Sequence, residues 1–455
     1  MKENILREND IRGRYPDEIN EETVRIIGKA FAYYLNELNY HKCIVGHDNR
    51  LSSDSLNNSL IDSLLSSGID VIDIGLVTTP ILNYATFIKD IDYALMITAS
   101  HNDKHDNGIK IFGKEHLHLR QEKLQILYTY IKERKALEGY GTLTKDNINN
   151  LYANMLINKF GKINKKVVVD CGNGTASIIV KQVYSKIFNN VSYINSISDG
   201  NFPIHNPDPN VSTNLKWLQD EVKLRNFDLG IAFDGDADRV GIVDNKGNII
   251  STDYLIAIFC KEIINNNDNK NIVIDIKCSK AIEEEIIKQG GTPVIVKNGS
   301  AYIETYCHDL PSLLGGEYSG HIFFKDDYYG FDDGLYAGLR MSKLLMDRNT
   351  ESSLLTKDMN KYYSTEEIRI TVDDTKKEEI INKIKEYALT NNYKCNLIDG
   401  VRVEYEDGFS LIRKSNTGPT ITMRFEASTK EKLEARQKEF TNKLNEIINK
   451  IINKI

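Results

Sequence analysis

Thr98-Ala99-Ser100-His101-Asn102 closes an apolar run, Tyr93-Ala94-Leu95-Met96-Ile97. A buried strand that stops at small polar residues hands its last side chains to the surface, so the Ser100 oxygen can meet a substrate. An ordinary polar turn is the alternative reading of the same stretch. A second stretch, Asp234-Gly235-Asp236-Ala237-Asp238-Arg239, follows the strand-like run 228–233. In an extended loop these alternating carboxylates point the same way, and the Gly and Ala between them permit close approach. Such a set calls for a divalent cation, because neighbouring carboxylates repel without a counter-ion; a solvated acidic turn is the plainer alternative. A calcium EF-hand loop is excluded, since it needs Gly at its sixth position and Glu at its twelfth, where this chain has Arg239 and Asn245. Mg²⁺ suits the loop: it takes few protein ligands and keeps a phosphoryl oxygen in its shell, which points to phosphate chemistry.

Two further stretches carry binding chemistry. Arg413-Lys414-Ser415-Asn416-Thr417-Gly418-Pro419 sets a guanidinium, hydroxyls and an amide around a turn, donors that can surround a non-reacting phosphate. The same residues also suit a plain surface loop. Glu317 and His321 lie in the glycine-bounded loop Gly316-Glu317-Tyr318-Ser319-Gly320-His321, whose polar groups suit sugar hydroxyls.

Periodicity supplies the elements that must hold these loops. Val24, Ile27, Phe31, Leu35 and Leu38 recur at helical spacing, and Cys43-Ile44-Val45-Gly46 reads as a buried strand. Val71-Ile72-Asp73-Ile74-Gly75 is another, ended by Thr78-Thr79-Pro80, and Ser53 or Asp54 is expected to cap a helix bearing Leu56, Leu60 and Leu64. Strands alternating with helices imply parallel pairing, with functional loops at the strands' carboxyl ends, where Ser100 falls. The alternation restarts at 165–170, with Cys171-Gly172-Asn173-Gly174 as a glycine turn, and strands at 272–276 and 293–296 belong to a third region that carries Lys277. Beyond 351 the pattern changes: 368–372, 400–405 and 420–425 alternate like half-exposed strands. A last helix from near Ser428 keeps Leu433, Phe440, Leu444, Ile447, Ile448, Ile451 and Ile455 on one face, as core packing. The fold class is α/β, with three similar α/β domains at 1–146, 147–248 and 249–360 and a C-terminal α+β domain at 361–455.

The chain has 455 residues, enough for several domains, and 41% hydrophobic content, enough for real cores. No stretch approaches the roughly 18 apolar residues of a membrane helix, and Met1-Lys2-Glu3-Asn4 leads into charge, so no membrane partner and a cytoplasmic location are expected. Cys43, Cys171, Cys260, Cys278, Cys307 and Cys395 show no close pairing, which implies reduced, mostly buried thiols. A net charge of −7 argues against nucleic acid as a partner, so an anionic ligand must be met by local cations or a metal. His101 is expected to be a structural hydrogen-bonder, because adjacent residues rarely face each other; His47 and His205 read as loop residues, and Arg14 and Arg50 as solvated ones.

As a set these residues resemble the α-D-phosphohexomutases, through nearly the whole chain. Thr98 to Asn102 is similar to the family's phosphoserine loop, continued by Asn107-Gly108-Ile109-Lys110; Asp234 to Arg239 to its magnesium loop; Gly316 to His321 to its sugar-binding loop; and Arg413 to Thr417 to its phosphate-binding loop. Asp10 to Gly13, Gly46 to Ser53, Asp170 to Gly174 and Asn201-Phe202-Pro203 resemble its connecting signatures. Gly-Glu-Tyr-Ser-Gly-His is closest to the Gly-Glu-Met-Ser-Gly-His of bacterial enzymes acting on both mannose and glucose phosphates; glucosamine enzymes usually carry Gln where Tyr318 stands. The chain departs from the family pattern at Ser300, where a histidine is usual, and at Asn9, where a tyrosine is usual.

The resemblance implies four domains around a central cleft, the three α/β ones built on mixed sheets, and a mutase in which phosphorylated Ser100 passes its phosphoryl group to a hexose 1- or 6-phosphate. A hexose 1,6-bisphosphate is both bound intermediate and activator, and sugar phosphates are the small-molecule partners of a monomer or homodimer. On that basis Asp234, Asp236, Asp238 and Ser100 hold Mg²⁺, and Arg239 and Arg12 offset phosphate charge. Lys110 carries the proton, with His321 as the second candidate. Lys277, Glu317, Ser319 and His321 hold the sugar, and Arg413, Ser415, Asn416 and Thr417 the distal phosphate. Phosphoglucosamine mutase is one alternative. A magnesium-dependent sugar phosphatase with Asp234 or Asp236 as nucleophile is another, and a non-catalytic sugar-phosphate sensor, motivated by Ser300, is a third.

Overall fold

The structure, a computed structural model, describes residues 2–264, 269–415 and 418–452; Asn416 and Thr417 of the expected phosphate loop, and Ile455 of the last helix, lie outside them. The chain divides into two units, Met1–Thr252 with Ser319–Leu355, and Asp253–Tyr318 with Thr356–Ile455.

The first unit contains two mixed sheets. In one, the strands run in the order Ile11–Arg14, Asp106–Phe112, Ala94–Ile97, Lys42–His47, Asp70–Leu76 and Leu143–Lys145. The strands expected from apolar runs pair in parallel, Lys42–His47 with both Asp70–Leu76 and Ala94–Ile97. The parallel expectation fails at Ser100: the next strand, Asp106–Phe112, turns back and pairs antiparallel with Ala94–Ile97, Met96 opposite Lys110. A connection this short can only be a hairpin, since a parallel return needs a crossover of a dozen or more residues. Helix Glu21–Glu37 is capped by Asn20, whose side chain accepts the Thr23 N–H at 3.0 Å, and its apolar stripe of Val24, Ile27, Phe31 and Leu35 is fully buried on the sheet. Helix Ser53–Leu65 starts one residue earlier than expected, with Ser52 at the cap position and no side-chain cap bond; Ser52 Oγ instead accepts from Asn107 Nδ2 at 2.8 Å, and Ser53 Oγ is turned to Asp48.

The second sheet runs Ile249–Ile250, Val240–Asp244, Leu229–Phe233, Ile163–Asp170 and Phe188–Ile194. Leu229–Phe233 is buried along its whole length and delivers the aspartate loop at its carboxyl end. Helix Gly334–Asp347 also belongs to this unit, capped by Asp333, whose carboxylate accepts the Tyr336 N–H at 2.9 Å.

In the second unit, Thr292–Val296, Asn271–Asp275 and Leu314–Gly316 form a parallel group. An antiparallel sheet follows, in which Thr420–Ala427 pairs with Ile368–Thr371 and Gly408–Lys414, and Gly408–Lys414 with Val401–Tyr405. Helices Lys377–Thr390 and Lys430–Ile452 cover it through Ile380, Ile384, Phe440, Leu444 and Ile447, so the α+β reading and the core role of the final helix hold. The cysteines are free thiols, buried apart from the half-buried Cys395.

Candidate active site

Ser100 is buried and sits at φ +50°, a left-handed turn conformation that a short side chain bonded to its own loop can hold. Its N–H donates to Thr98 Oγ1 at 2.9 Å, and its Oγ donates to Asp234 Oδ2 at 2.7 Å. The same turn brings His101 Nδ1 to 3.3 Å from Ser100 Oγ, so the expectation that these neighbours face apart is corrected: the left-handed residue swings them together. Burial first, then the nearby Arg239 and Arg12 cations, hold the His101 imidazole well below its usual range, so it is neutral beside the serine.

The three aspartates converge, with carboxylate oxygens of Asp234, Asp236 and Asp238 within 4.8 Å of one another. They do so through a tight turn with Ala237 at φ +64°, where the sequence suggested an extended loop. Asp234 Oδ1 accepts the Arg239 N–H at 3.1 Å. Asp236 Oδ2 accepts from Thr79 Oγ1 and from Lys110 Nζ, both at 2.7 Å, and Lys110 also donates to Asp238 Oδ2. Asp236 Oδ1 and Asp238 Oδ1 are buried without a hydrogen-bond partner among the described residues. Asp238 Oδ1 has His321 Nδ1 at 3.4 Å, and hard oxygens gathered around a shared point fit a divalent cation of the oxygen-preferring class. Burial and the repulsion of Asp238 and Asp236 push the Asp234 carboxyl well up. For Asp236, burial pulls the same way, but the Lys110 ammonium outweighs it and holds the carboxyl low. Burial would lower Lys110; Asp236 and Asp238 outweigh it and raise its pKa, so it is an ammonium in this arrangement.

Two more groups complete this constellation. Arg239 Nε donates to His321 Nε2 at 2.9 Å and lies 3.8 Å from Asp234 Oδ2. His321 Nδ1 is 2.6 Å from Asp332 Oδ2, a buried carboxylate that no local pattern in the sequence announced. An imidazole whose Nε2 accepts a guanidinium N–H carries its hydrogen on Nδ1, which assigns the tautomer. Arg12, opposite Gly108 in the edge strand, donates to Asn102 Oδ1 at 2.8 Å and to Asp10 Oδ2 at 2.6 Å. Arg50 is not solvated: it is 2% exposed and donates to the carbonyls of Ser100 and Asn102, whereas Arg14 is exposed.

The second unit assembles its own cationic cluster. Lys277 Nζ lies 3.5 Å from Glu367 Oε2, and Arg413 Nε donates to Asp399 Oδ2 at 2.9 Å. Burial raises the Glu367 carboxyl, but Lys277, Arg369 and Arg413 outweigh it and hold it down at about 2. Glu367 was not anticipated, because it stands at the start of an unremarkable half-exposed strand. Arg424 stacks 3.9 Å from the Tyr318 ring centroid, donates to Asp253 Oδ2 at 2.5 Å, and also donates to the Lys277 carbonyl. Glu317 is buried. Ser415 donates its N–H to the Thr420 carbonyl at 2.9 Å.

Against known proteins, the sequence model described as phosphoglucomutase/phosphomannomutase, alpha/beta/alpha domain I, matches residues 3–138; those of domains II and III match 145–247 and 251–362, and that of the C-terminal domain matches 367–443. The chain belongs to the phosphoglucomutase/phosphomannomutase family. Among its relatives in the family, a phosphomannomutase/phosphoglucomutase of Pseudomonas syringae pv. tomato is 39% identical over 98% of this chain and 96% of that protein. A phosphoglucomutase of Neisseria gonorrhoeae is 33% identical over 96% of this chain and 95% of its own. The crystal structure of a phosphoglucomutase/phosphomannomutase family protein from Burkholderia thailandensis superposes with a TM-score of 0.90 at 31% identity, covering 98% of each chain. The four-domain phosphohexomutase fold expected from the motifs is thereby shown.

Of the family residues anticipated from sequence, the first unit brings together Ser100, Lys110, Asp234, Asp236, Asp238, Arg239 and His321. Arg12 joins them through Asn102. The second unit gathers Lys277 and Arg413 about Glu367. Ser319, of the first unit, has its Oγ buried without a hydrogen-bond partner among the described residues, and its carbonyl accepts from Asn210. Ser300 opens helix Ser300–Asp309 after Gly299. No helix among the described residues is long and apolar enough to cross a membrane.

Proposed function

We propose that this chain is a hexose-phosphate mutase that interconverts hexose 1-phosphate and hexose 6-phosphate, mannose and/or glucose, through phosphorylated Ser100 and a bound hexose 1,6-bisphosphate. The observation that carries this reading is Ser100 Oγ at 2.7 Å from Asp234, inside a ring of buried carboxylates and flanked by cations. Phosphoryl transfer is mainly positioning and charge neutralisation, and this is a site of that kind.

Phosphorylated Ser100 gives its phosphoryl group to the free sugar hydroxyl; the O–P bond at serine breaks as one at the sugar forms. The hydroxyl gives up a proton and the serine oxygen gains one. Lys110 is assigned that traffic, with His321 second, because both contact the aspartate loop whose Asp234 accepts from Ser100, Lys110 at Asp236 and Asp238 and His321 at Asp238. The bisphosphate then turns and returns its other phosphoryl group to Ser100. Arg12 and Arg239 offset phosphate charge. Lys277, Glu317, Ser319 and His321 are assigned the sugar, and Arg413 with Ser415, Asn416 and Thr417 the distal phosphate, from the donors their side chains offer. Mg²⁺ is the ion these oxygens suit: Asp234, Asp236, Asp238 and the Ser100 oxygen would hold it, and it would supply positive charge against the phosphoryl group. Hexose 1,6-bisphosphate serves as activator by phosphorylating Ser100. We assign the protein to the cytoplasm, as a monomer or homodimer whose partners are small sugar phosphates and not nucleic acid.

The test is to supply mannose, glucose or glucosamine 1-phosphate with Mg²⁺ and catalytic hexose 1,6-bisphosphate, and to follow the 6-phosphate and free phosphate. Wild type is expected to make 6-phosphate from the mannose or glucose compound, and Ser100→Ala to make none. Full-rate isomerisation by Ser100→Ala sinks the mechanism. Free phosphate without isomer identifies a phosphatase, a preference for the glucosamine compound a phosphoglucosamine mutase, and binding without either product a sensor.

A further inference from the structure

We propose that Arg50 is a positioning residue for phosphoryl transfer at Ser100 and that Phe202 holds the Arg50 guanidinium in place; the catalytic half of this rests on the mutase reading above. Arg50 is 2% exposed, and its planar fork meets the backbone of one turn almost completely. Nη2 donates to the carbonyls of Ser100 and Asn102, each at 2.8 Å. Nη1 donates to those of Asp103, at 2.6 Å, and Asp106, at 3.0 Å. Nε donates to Asp48 Oδ2 at 3.2 Å, while Asp48 Oδ1 accepts from the Arg50 N–H and from Ser53 Oγ. The turn that holds Ser100 at φ +50° closes with the Asp106 N–H on the Asp103 carbonyl at 2.9 Å, and Ser100 itself is buried. Left unpaired, the buried Ser100 carbonyl would cost about 1–3 kcal/mol, and a flat donor with five N–H groups holds it together with the carbonyls of Asn102, Asp103 and Asp106, where a lysine does not.

The turn so tied runs from the reacting serine to the first residue of strand Asp106–Phe112, which carries Lys110. One guanidinium therefore sets the position of both. Behind the Ser100 carbonyl lies Gly235 of the aspartate loop, where an added Cβ would stand 2.5 Å from that oxygen. A shift of the Ser100 carbonyl thus alters its distance to Asp234.

Arg50 is itself held from the second domain. Phe202 lies with its ring centroid 5.2 Å from the guanidinium carbon and its backbone at φ +45°, a conformation a bulky residue keeps only when its surroundings impose it. Asn49 Nδ2 donates to the Asn173 carbonyl at 2.7 Å and to Ser198 Oγ at 2.9 Å, and a Cβ at Gly200 would sit 2.3 Å from the Asn49 carbonyl. The two loops are in backbone contact, and the strained Phe202 is the face on which Arg50 rests.

The experiment uses the full chain as Arg50→Lys and Phe202→Leu. It reads kcat and KM for glucose and mannose 1-phosphate, thermal unfolding, and peptide-resolved hydrogen exchange. Arg50→Lys is expected to lower kcat about 10- to 100-fold with KM within about 2-fold, since sub-ångström to ångström misplacement acts on the transition state. Exchange is expected to quicken at 98–106 while the rest of the chain keeps its protection. Phe202→Leu changes both readouts in the same direction by a smaller factor, and it decides the matter if Arg50→Lys does not fold. A folded Arg50→Lys with wild-type kcat overturns the proposal, as does exchange that rises uniformly along the chain. Absence of turnover in wild type sinks the mutase reading instead, and exchange at 98–106 then decides whether Arg50 holds the serine turn.

Discussion

Lys110 neutralises carboxylates that would otherwise face one another across a buried space. Its ammonium donates to Asp236 at 2.7 Å and to Asp238, and an unpaired buried charge costs about 3–5 kcal/mol. Lys110→Met is therefore expected to unfold at a lower temperature than wild type without divalent cation, and to gain more from added Mg²⁺, because the ion then supplies the missing charge. Thermal unfolding with and without Mg²⁺ measures both, and equal Mg²⁺ shifts in the two proteins would count against the argument. At this scale the sequence announced residues whose chemistry has a local rhythm. Asp234, Asp236 and Asp238 alternate, and Ser100 ends an apolar run. Arg50, Asp332 and Glu367 have no such rhythm, and their partners lie far along the chain at 100, 321 and 277, so only folding makes them neighbours.

Elements were legible where the burial pattern is continuous and bounded by caps. Helix Glu21–Glu37 is the clearest, with a buried stripe and an asparagine whose side chain accepts the Thr23 N–H. Asn20→Ala leaves that donor without its partner and is expected to cost about 1 kcal/mol. Urea unfolding reads the loss, and kcat is expected to stay within about 2-fold, since the cap bond joins Asn20 to Thr23 and neither belongs to the serine or aspartate loop. Strands Ile11–Arg14 and Asp106–Phe112 were not anticipated as strands. Both carry Gly and charged residues that lower strand propensity, and each is made a strand by its antiparallel partners, Asp106–Phe112 by Ala94–Ile97 and Ile11–Arg14 by Asp106–Phe112. That hairpin is what sets Lys110 opposite Met96, beside the serine turn.

For the whole molecule, stability against pH follows from buried carboxylates in the separate units. In the first, Asp333 accepts from the Tyr152 and Tyr328 hydroxyls at 2.8 and 2.7 Å, yet burial pushes its carboxyl up to about 6 from the ordinary 3.8. A raised acid binds its proton more tightly when folded, so its contribution is full below about pH 3.8, is lost as pH rises through about 6, and is flat above. The loss is on the order of 3 kcal/mol. Asp333→Asn is expected to flatten that slope, and unfolding curves of both proteins between about pH 4 and pH 7 check it; parallel slopes would refute it. In the second unit Glu367, held down at about 2, acts oppositely: its stabilisation is present above the ordinary 4.5 and is lost as pH falls toward 2. Family, fold class and the order of the reactive loops were all readable from residue types, because Gly turns, alternating carboxylates and apolar runs are local facts of spacing. What no spacing encodes is which distant groups meet in a low-dielectric interior. Tertiary structure alone decided that a surface-type arginine underpins Ser100, that the Arg239 guanidinium sets the His321 tautomer, and that the aspartates converge through a tight turn, because those outcomes depend on buried groups finding charge and hydrogen-bond partners across the fold.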